Sequence, residues 1–195
     1  KNYEIILVND ASTDETIEVI SKIKNKNIKI IINDDNKGQS FSILLGVKES
    51  DSNTIITLDG DCQNNPSDIP KLIKVYFNNN YSLVGGIRSK RKDSTIKIIS
   101  SKLANSIRQF ILKDNCIDTG CSLKIFNRDI FLKFPFFDGL HRFLPALFIG
   151  YNATTFFIPV EHRYRVHGSS NYGTTKRLLV GILDLIRVVK IIKKF

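Results

Sequence analysis

The chain of 195 residues contains no methionine. Its first residues, Tyr3-Glu4-Ile5-Ile6-Leu7-Val8, already have the apolar, β-branched composition of a strand. We therefore expect the sequence to begin inside a fold, with a first strand missing upstream. No signal peptide is visible in the printed residues.

Cysteine is scarce, and its spacing is not that of a metal finger. Cys62, Cys116 and Cys121 form no Cys-x-x-Cys pair. A reducing compartment is therefore the default expectation.

The chain also lacks an uninterrupted apolar run that could cross a membrane. Its longest uncharged stretch, Phe143 to Val160, has the necessary length. However, Pro145, Gly150, Asn152 and Pro159 interrupt it. A helix, a turn and a strand explain this stretch better than a membrane span does.

Two nucleotide-binding fingerprints are absent as well. The glycine in Asn36-Lys37-Gly38-Gln39 permits a close approach of the backbone to a ligand, but its surroundings have neither Walker nor Rossmann spacing. This argues against a P-loop enzyme and against a dinucleotide-dependent oxidoreductase.

What the chain has in excess is positive charge. Its 29 Lys and Arg residues against 19 Asp and Glu residues give a net charge of +10. Such an excess favours an anionic partner, which could be nucleic acid, a membrane surface or a phosphorylated small molecule. No RNA- or DNA-binding motif accompanies the charge, so nucleic acid is the weakest of the three.

Strand and helix signals alternate through the first half and predict an α/β fold with a largely parallel sheet. The predicted strands are Ile5–Val8, Ile28–Ile32, Thr54–Leu58 and Tyr81–Gly85, and the predicted helices start near Ser12, Gln39 and Pro66 and end near Lys24, Glu49 and Asn78. In the second half we predict amphipathic helices over 95–113 and 176–195, a strand over 121–126, a helix over 142–149 and an extended segment over 154–164.

The most informative residues are Asp59-Gly60-Asp61-Cys62-Gln63, which directly follow the apolar strand Thr54–Leu58. Ligands bind at the carboxyl ends of strands in open α/β sheets. Carboxylates two residues apart on a turning backbone can converge on one hard cation. Asp59 and Asp61 are therefore candidate ligands of Mg²⁺ or Mn²⁺, with phosphate oxygens completing the shell. A solvated acidic turn is the alternative.

A second polar loop, Val8-Asn9-Asp10-Ala11-Ser12-Thr13-Asp14, ends the first strand. Asp10 could accept hydrogen bonds from a nucleobase or ribose, and the N-terminus of the following helix favours an anion. A capped loop without any ligand is the alternative.

In combination, these motifs resemble the family 2 glycosyltransferases of GT-A fold, and more closely their branch that transfers sugars to polyprenyl phosphates. Asn9 replaces the first acid of the family's nucleotide motif, and Asn171 replaces a usual lysine. The matches lie in register along nearly the whole chain: Val8 to Thr16; Asn36, Gly38 and Gly46; Asp59, Asp61, Gln63 and Pro66; Gly86 and Arg88; Asp118, Gly120, Arg128 and Asp129; His141 to Pro145; Arg165, Gly168, Ser170 and Tyr172.

The resemblance implies an inverting transfer of a sugar from a UDP- or GDP-linked donor to a polyprenyl phosphate, with Mg²⁺ or Mn²⁺ as cofactor. The implied catalytic residues are Asp61, Gln63 and Asp118. The implied nucleotide-binding residues are Asp10, Ser12, Asp14, Gly38 and Asp59, and the implied metal ligands are Asp59 and Asp61. The implied phosphate- or acceptor-binding residues are Arg88, Lys124, Arg165 and Ser170.

The class of acceptor depends on Asp118. A sugar hydroxyl needs a general base, whereas a phosphate is already anionic. Members of the family that act on hydroxyls usually show Glu-Asp near the acceptor, and the comparable place here reads Asp118-Thr119-Gly120. This favours a lipid phosphate. Three alternatives stay open: Asp118 as the base for a hydroxyl acceptor, Asp118 as a structural cap or a partner of Arg128, and a non-catalytic relative.

Three further residues near these motifs are interpreted as structural. His141 and His162 could be metal or phosphate ligands, but a lone histidine is more often a hydrogen-bonded structural residue. Cys62 lies within the acidic motif, yet thiolate is a poor ligand of Mg²⁺, so we expect it to be packed.

The predicted domains are a catalytic domain over 1–173 and a basic amphipathic helix over 174–195. Apolar stripes flanked by Lys and Arg, in 95–113 and 176–195, fit an anionic membrane surface. Core-facing helices with solvated basic faces are the alternative. We expect a protein at the cytoplasmic face of the membrane, either peripheral or with spans downstream. The sequence leaves a homo-oligomer open.

Overall fold

The structure, a computed structural model, describes residues 3–89, 105–164 and 174–193, with the side chains of 174–179 excepted. The first half contains β1 (Ile5–Asn9), α1 (Thr16–Ser21), β2 (Ile28–Ile32), α2 (Gln39–Glu49), β3 (Thr54–Thr57), a 3₁₀ turn (Pro66–Asp68), α3 (Ile69–Asn78) and β4 (Leu83–Ser89). The second half contains α4 (105–112), β5 (Lys124–Asn127), α5 (Arg128–Phe131), a 3₁₀ turn (Leu140–Arg142), α6 (Leu144–Gly150), β6 (Thr155–Glu161) and α7 (Thr174–Ile192).

The strands form two sheets. β1 and β2 pair in parallel, and the other four strands lie in the order β3-β5-β4-β6. β4 and β6 are parallel, whereas β5 runs antiparallel to both of its neighbours. The predicted α/β class is confirmed, and two of the four strand pairings in the described residues are antiparallel, so the strands are less parallel than predicted. The direction of β5 carries no local signal, because it depends on the path of the long segment before it.

Several boundaries differ from the predicted ones. β4 runs to Ser89 instead of Gly85, because it pairs with β6 as far as Ser89 opposite Glu161. Tertiary pairing therefore extends this strand into polar sequence. β5 begins at Lys124 rather than at 121, and α1 ends at Ser21. Of the helix predicted over 95–113, the part before residue 105 lies outside the described residues.

The core lies on both faces of the larger sheet. Leu83 and Phe126 pack into one cluster, rich in phenylalanine, with Phe148 and Val188. Their strand neighbours Val84 and Ile125 pack into the second cluster, below α3. This alternation is the ordinary two-residue period of a strand that is covered on both faces. Packing on both faces holds β5 in the middle of the sheet.

Helix α7 packs one face against this core. Val188 is fully buried, and the buried Asp184 accepts a hydrogen bond from Arg142 at 2.9 Å. The opposite face of α7 exposes apolar side chains, among them Leu183 and Ile186. No helix among the described residues is both long enough and apolar enough to cross a membrane. The division of the chain at residue 174 stays a prediction.

Two substitutions on α7 test this packing. Val188→Asp places an unpaired charge in the core and should lower the free energy of unfolding by about 4 kcal/mol. Ile186→Asp, on the exposed face, should change it by less than about 1 kcal/mol. Urea unfolding of both variants checks the difference. Equal losses would show that α7 does not pack in this orientation.

Candidate active site

A small polar cleft opens at the carboxyl end of β3. The sheet order explains how it forms. Lys124 of β5 lies opposite Thr57 of β3 and also opposite Gly85 of β4. The residues just before β5 are therefore held between the acidic motif and the second half of β4. Eight of the residues that the structure describes line the cleft: Asp59, Asp61, Gln63, Asn64, Arg88, Gly120, Ser122 and His162.

The two motif carboxylates are fixed by neighbouring groups. Gln39 Nε2 donates to Asp59 Oδ1 at 2.8 Å, and the backbone N–H of Gln63 donates to Asp61 Oδ1 at 3.1 Å. Burial raises the pKa of Asp59, and the charge of Asp61 raises it further, against the opposing effects of Lys124 and of hydrogen bonds. Two carboxylates at such a place carry excess negative charge that a cation would relieve.

The donor set fits a hard divalent cation that shares its shell with a ligand. No group of three or more His, Cys, Asp or Glu side chains that could hold a metal ion occurs among the described residues. Asp59 and Asp61 offer carboxylate oxygens only. This is the donor set of a Mg²⁺ or Mn²⁺ site that phosphate oxygens and water complete. Between the carboxylates, Cys62 has a φ of 62°, which turns the backbone, and its side chain is exposed. The expectation that Cys62 is packed is therefore wrong.

Asp118 and Arg88 form a bidentate ion pair at the rim of the cleft. Arg88 donates from Nε to Asp118 Oδ2 at 2.8 Å and from Nη2 to Oδ1 at 2.7 Å. The alternative that Asp118 pairs with Arg128 is wrong. Arg128 instead donates to the carbonyl oxygens of Val47 and Lys48, at 3.0 and 3.3 Å.

Of the remaining predicted phosphate-binding residues, Lys124 does not line the cleft. Lys124 is 4% exposed, and its ammonium group donates to the carbonyl oxygen of Cys121. From this position it lowers the pKa of Asp59 through its charge without forming part of the lining. Arg165 and Ser170 lie outside the described residues.

Asp10 ties the loop after β1 to the start of α2. Its Oδ1 accepts hydrogen bonds from Asn33 Nδ2 at 2.7 Å and from the N–H of Lys37 at 2.9 Å, and its Oδ2 accepts one from the N–H of Gly38 at 2.8 Å. Burial alone would raise the pKa of Asp10, but these hydrogen bonds outweigh it and lower the pKa. Gly38 has a φ of 87°, which glycine adopts without strain. Asp10 therefore positions the residue that follows, Gln39, which contacts Asp59.

Ser12 and Asp14 make local contacts in the same loop. The N–H of Ser12 donates to Asn9 Oδ1 at 2.9 Å, and Asn9 Nδ2 donates back to Ser12 Oγ at 3.0 Å. Asp14 accepts a hydrogen bond from the N–H of Thr16 at 3.0 Å, at the start of α1. Neither residue lines the cleft. Their role in nucleotide binding stays a prediction.

Two residues of the cleft, Asn64 and Ser122, are not predicted from the sequence. Ser122 Oγ donates to Asn64 Oδ1 at 2.6 Å, which joins the segment before β5 to the end of the acidic motif. Asn64 could have been found from its position directly after Gln63. Ser122 has no local signal, because only the placement of β5 brings it to the site. Of the two histidines, His162 lines the cleft, and His141 Nδ1 lies 2.7 Å from Ser40 Oγ as a link to α2.

Comparison with known families identifies the fold. The family model described as Glycosyl transferase family 2 matches residues 1–134. The chain belongs to this family. It is 32% identical over 179 residues to undecaprenyl-phosphate 4-deoxy-4-formamido-L-arabinose transferase of Edwardsiella ictaluri, with 90% of this chain and 55% of the relative covered. It is 34% identical over 193 residues to dodecaprenyl-phosphate galacturonate synthase of Rhizobium johnstonii, with 96% and 57% covered. This family 2 chain thus spans little more than half the length of these curated relatives.

Solved structures agree on the fold. One match is glucosyl-3-phosphoglycerate synthase from Mycobacterium tuberculosis in complex with phosphoglyceric acid. The superposition covers 95% of the present chain and 67% of the synthase chain, with a TM-score of 0.67 and 12% identity. The same enzyme in complex with Mn²⁺, UDP-glucose and phosphoglyceric acid also matches. Here the superposition covers 94% of the present chain and 66% of the synthase chain, with a TM-score of 0.64 and 12% identity. The predicted GT-A fold is confirmed.

The anchoring role of Asp10 can be tested by unfolding. Asp10→Ala removes the acceptor of three hydrogen bonds and should lower the free energy of unfolding near pH 7 by about 2 kcal/mol. Because the pKa of Asp10 is lowered in the folded state, its stabilisation is complete above the unfolded pKa of about 3.9 and is lost as pH falls through the folded pKa. The difference from wild type should therefore shrink in acid.

Asp34→Ala is the matched control, because Asp34 is exposed in the neighbouring loop. Urea unfolding as a function of pH gives the measurement. A loss for Asp34→Ala as large as that for Asp10→Ala would contradict the anchoring role. A pH-independent difference would contradict it as well.

Proposed function

We propose that this chain forms the catalytic domain of an inverting glycosyltransferase that moves a sugar from a nucleotide sugar to a polyprenyl phosphate. One observation carries the proposal: Asp59, Asp61 and Arg88 line the same cleft. Two carboxylates beside a guanidinium are the chemistry that suits a cation-bound diphosphate next to a second anionic group. The printed names of the relatives from Edwardsiella ictaluri and Rhizobium johnstonii, which specify undecaprenyl and dodecaprenyl phosphates, support the class of acceptor.

On the donor side, Asp61 and Asp59 hold the divalent cation, Mg²⁺ or Mn²⁺, which when bound supplies charge neutralisation to the leaving diphosphate. Gln39 orients the Asp59 carboxylate, and the backbone N–H of Gln63 orients that of Asp61. We assign the nucleoside, UDP- or GDP-linked, to the loops after β1 and β2. Asp10 joins these loops to each other, and Gly38 leads directly to the Gln39–Asp59 contact.

On the acceptor side, Arg88 binds the phosphate of the lipid, with Gln63 beside it. An oxygen of that phosphate forms the new bond to the anomeric carbon while the bond from this carbon to the diphosphate oxygen breaks on the opposite face. The configuration is therefore inverted. No proton has to be removed, since the phosphate is already anionic. Arg165 and Ser170 are proposed as further acceptor contacts from the resemblance alone.

Two exposed apolar faces support contact with a membrane. Near α4, large apolar side chains are exposed to solvent, namely Ile107 (51%), Phe110 (84%), Ile111 (45%) and Ile117 (56%). Lys113 is exposed beside them. On α7, exposed Leu183 and Ile186 alternate with exposed Arg187 and Lys190. We assign these faces to an anionic membrane surface, where apolar side chains enter and basic ones remain at the headgroups. The three free cysteines agree with the reducing, cytoplasmic side.

The donor site is tested by calorimetric titration with UDP and GDP, with and without Mn²⁺. One nucleotide should bind in a metal-dependent manner, and Asp61→Ala should weaken that binding by about 100-fold, because a ligand of the cation is lost. Asp51→Ala, at an exposed position between α2 and β3, should bind as wild type does. Equal binding with and without metal, or binding of neither nucleotide, would overturn the assignment of the donor site.

Membrane contact is tested by co-sedimentation with vesicles that contain phosphatidylglycerol. Phe110→Ser should weaken the affinity for the vesicles at low salt by about 10-fold, because it removes a large apolar group from the contact. Phe77→Ser is the matched control, since Phe77 is 58% exposed on α3, away from both faces. Equal losses in the two variants would contradict the assigned surface.

A further inference from the structure

The strongest feature that the proposed transfer does not yet explain is the Arg88–Asp118 pair. We propose that Asp118 is a positioning residue that fixes the guanidinium of Arg88 in the cleft, and that it does not act as a general base. This inference rests on the proposed function, because it concerns the group that receives the acceptor phosphate. It assigns to Asp118 a role different from the catalytic one that the resemblance implies.

The hydrogen bonds fix Arg88 at both ends of its side chain. Asp118 Oδ2 accepts from the backbone N–H of Arg88 at 3.0 Å and from Nε at 2.8 Å, and Oδ1 accepts from Nη2 at 2.7 Å. A carboxylate that holds both the main chain and the guanidinium leaves the side chain little rotamer freedom. An unrestrained arginine side chain has many rotamers, and binding would have to restrict them. The entropic cost of ordering the Arg88 side chain is therefore incurred on folding, before any phosphate binds.

The surrounding backbone is built for this geometry. The side chains of Arg88 and Asp118 are 14% and 6% exposed. A Cβ at Gly120 would lie 2.7 Å from Arg88 Nη2, so a larger residue would displace the guanidinium. Glycine at position 120 thus permits the backbone after Asp118 to lie directly against the guanidinium of Arg88. The pair is enclosed, which makes its hydrogen bonds stronger than those of an exposed pair.

Helix α4 holds Asp118 from the other side. Asn105 Nδ2 donates to the carbonyl oxygen of Ile117 at 3.1 Å, and Thr119 Oγ1 donates to Asn105 Oδ1 at 3.1 Å. One side chain therefore fixes both residues that flank Asp118. Because the orientation of Arg88 depends on Asp118, it also depends on α4, whose outer face carries the exposed Phe110.

The same contacts argue against a base. A general base must reach the proton that it removes and must have a lone pair directed at it. Both oxygens of Asp118 accept hydrogen bonds from Arg88, which remains charged at any physiological pH. Removal of a hydroxyl proton by Asp118 would break this pair and leave a charge enclosed without its partner. A positioned arginine instead selects an acceptor that is already an anion.

The test compares Asp118→Asn, Arg88→Lys and the double variant in transfer assays with a short-chain isoprenyl phosphate. Each single change should raise the acceptor KM by about 10- to 100-fold, with a much smaller change in kcat, because a hydrogen bond between charged groups is lost. The double variant should be no worse than the more damaged single variant, since the two residues act as one unit. The Kd of the donor nucleotide and the shape of the kcat–pH profile should remain those of wild type.

Glu49→Gln is the matched control, because it breaks an exposed ion pair with Lys29, 2.6 Å long, that is remote from the cleft. It should behave as wild type does. A collapse of kcat in Asp118→Asn with an unchanged acceptor KM, or loss of a limb of the pH profile, would identify a base and overturn the inference. Additive losses in the double variant would overturn it as well.

A readout that does not need transfer separates this inference from the proposed function. The Nε–H signal of Arg88 in nuclear magnetic resonance should be protected from exchange with solvent in wild type and should lose this protection in Asp118→Asn, with folding verified by circular dichroism. If that holds and inorganic phosphate binds, but the isoprenyl phosphate neither binds nor reacts, the proposed acceptor is wrong and the positioning role stands. An unprotected Arg88 signal in wild type would overturn the positioning role directly.

Discussion

The placement of β5 between β3 and β4 is the constraint on which the site depends. One residue, Lys124, pairs with both neighbouring strands, so the residues directly before it lie between the ends of those strands. The carbonyl oxygen of Ser122 accepts a hydrogen bond from Thr57 Oγ1 at 2.7 Å, and that of Leu123 accepts one from the N–H of Gly86 at 2.9 Å. A Cβ at Gly86 would lie 2.9 Å from the sulfur of Cys121, which shows how closely the segments approach. The antiparallel strand thus brings three distant parts of the chain to one cleft.

Two separate groups of polar contacts converge on that cleft, and each positions one charged group. From the N-terminal side, Asp10 fixes Gly38, and the next residue, Gln39, holds Asp59. From the C-terminal side, Asp118 fixes Arg88. In both cases a carboxylate outside the cleft lining orients a residue on which the proposed reaction depends, either directly or through Gln39. Preorganisation of this kind removes ordering costs from the binding step, which is the general route by which a protein site gains affinity for charged ligands.

The sequence predicts the elements of this site better than their contacts. The acidic motif after β3 was correctly placed because a strand end and two carboxylates are both local signals, and the α/β alternation followed from the same kind of pattern. The sequence suggests Arg128 as a partner of Asp118 and misses Arg88, because the approach of Asp118 to Arg88 depends on the placement of β5 beside β4. For the same reason Ser122 carried no signal, and Lys124 could not be recognised as buried. The predictions that fail are therefore those that depend on strand pairing between residues far apart in the chain.

The charge of the cleft also explains why the excess of basic residues does not by itself locate the site. Among the described residues that line the cleft, Asp59 and Asp61 contribute two negative charges and Arg88 contributes one positive charge, while the charges of Asp118 and Lys124 beside it cancel, which leaves a formal charge of −1. A site of this sign would repel a diphosphate. One divalent cation would change the balance to +1, which is why the proposed donor binding requires the metal. The net charge of +10 must then lie elsewhere on the molecule, where exposed residues such as Lys113, Arg187 and Lys190 can attract an anionic surface over a Debye length of about 10 Å. In the proposed function, the local charge thus serves donor binding, and the overall charge serves contact with an anionic surface.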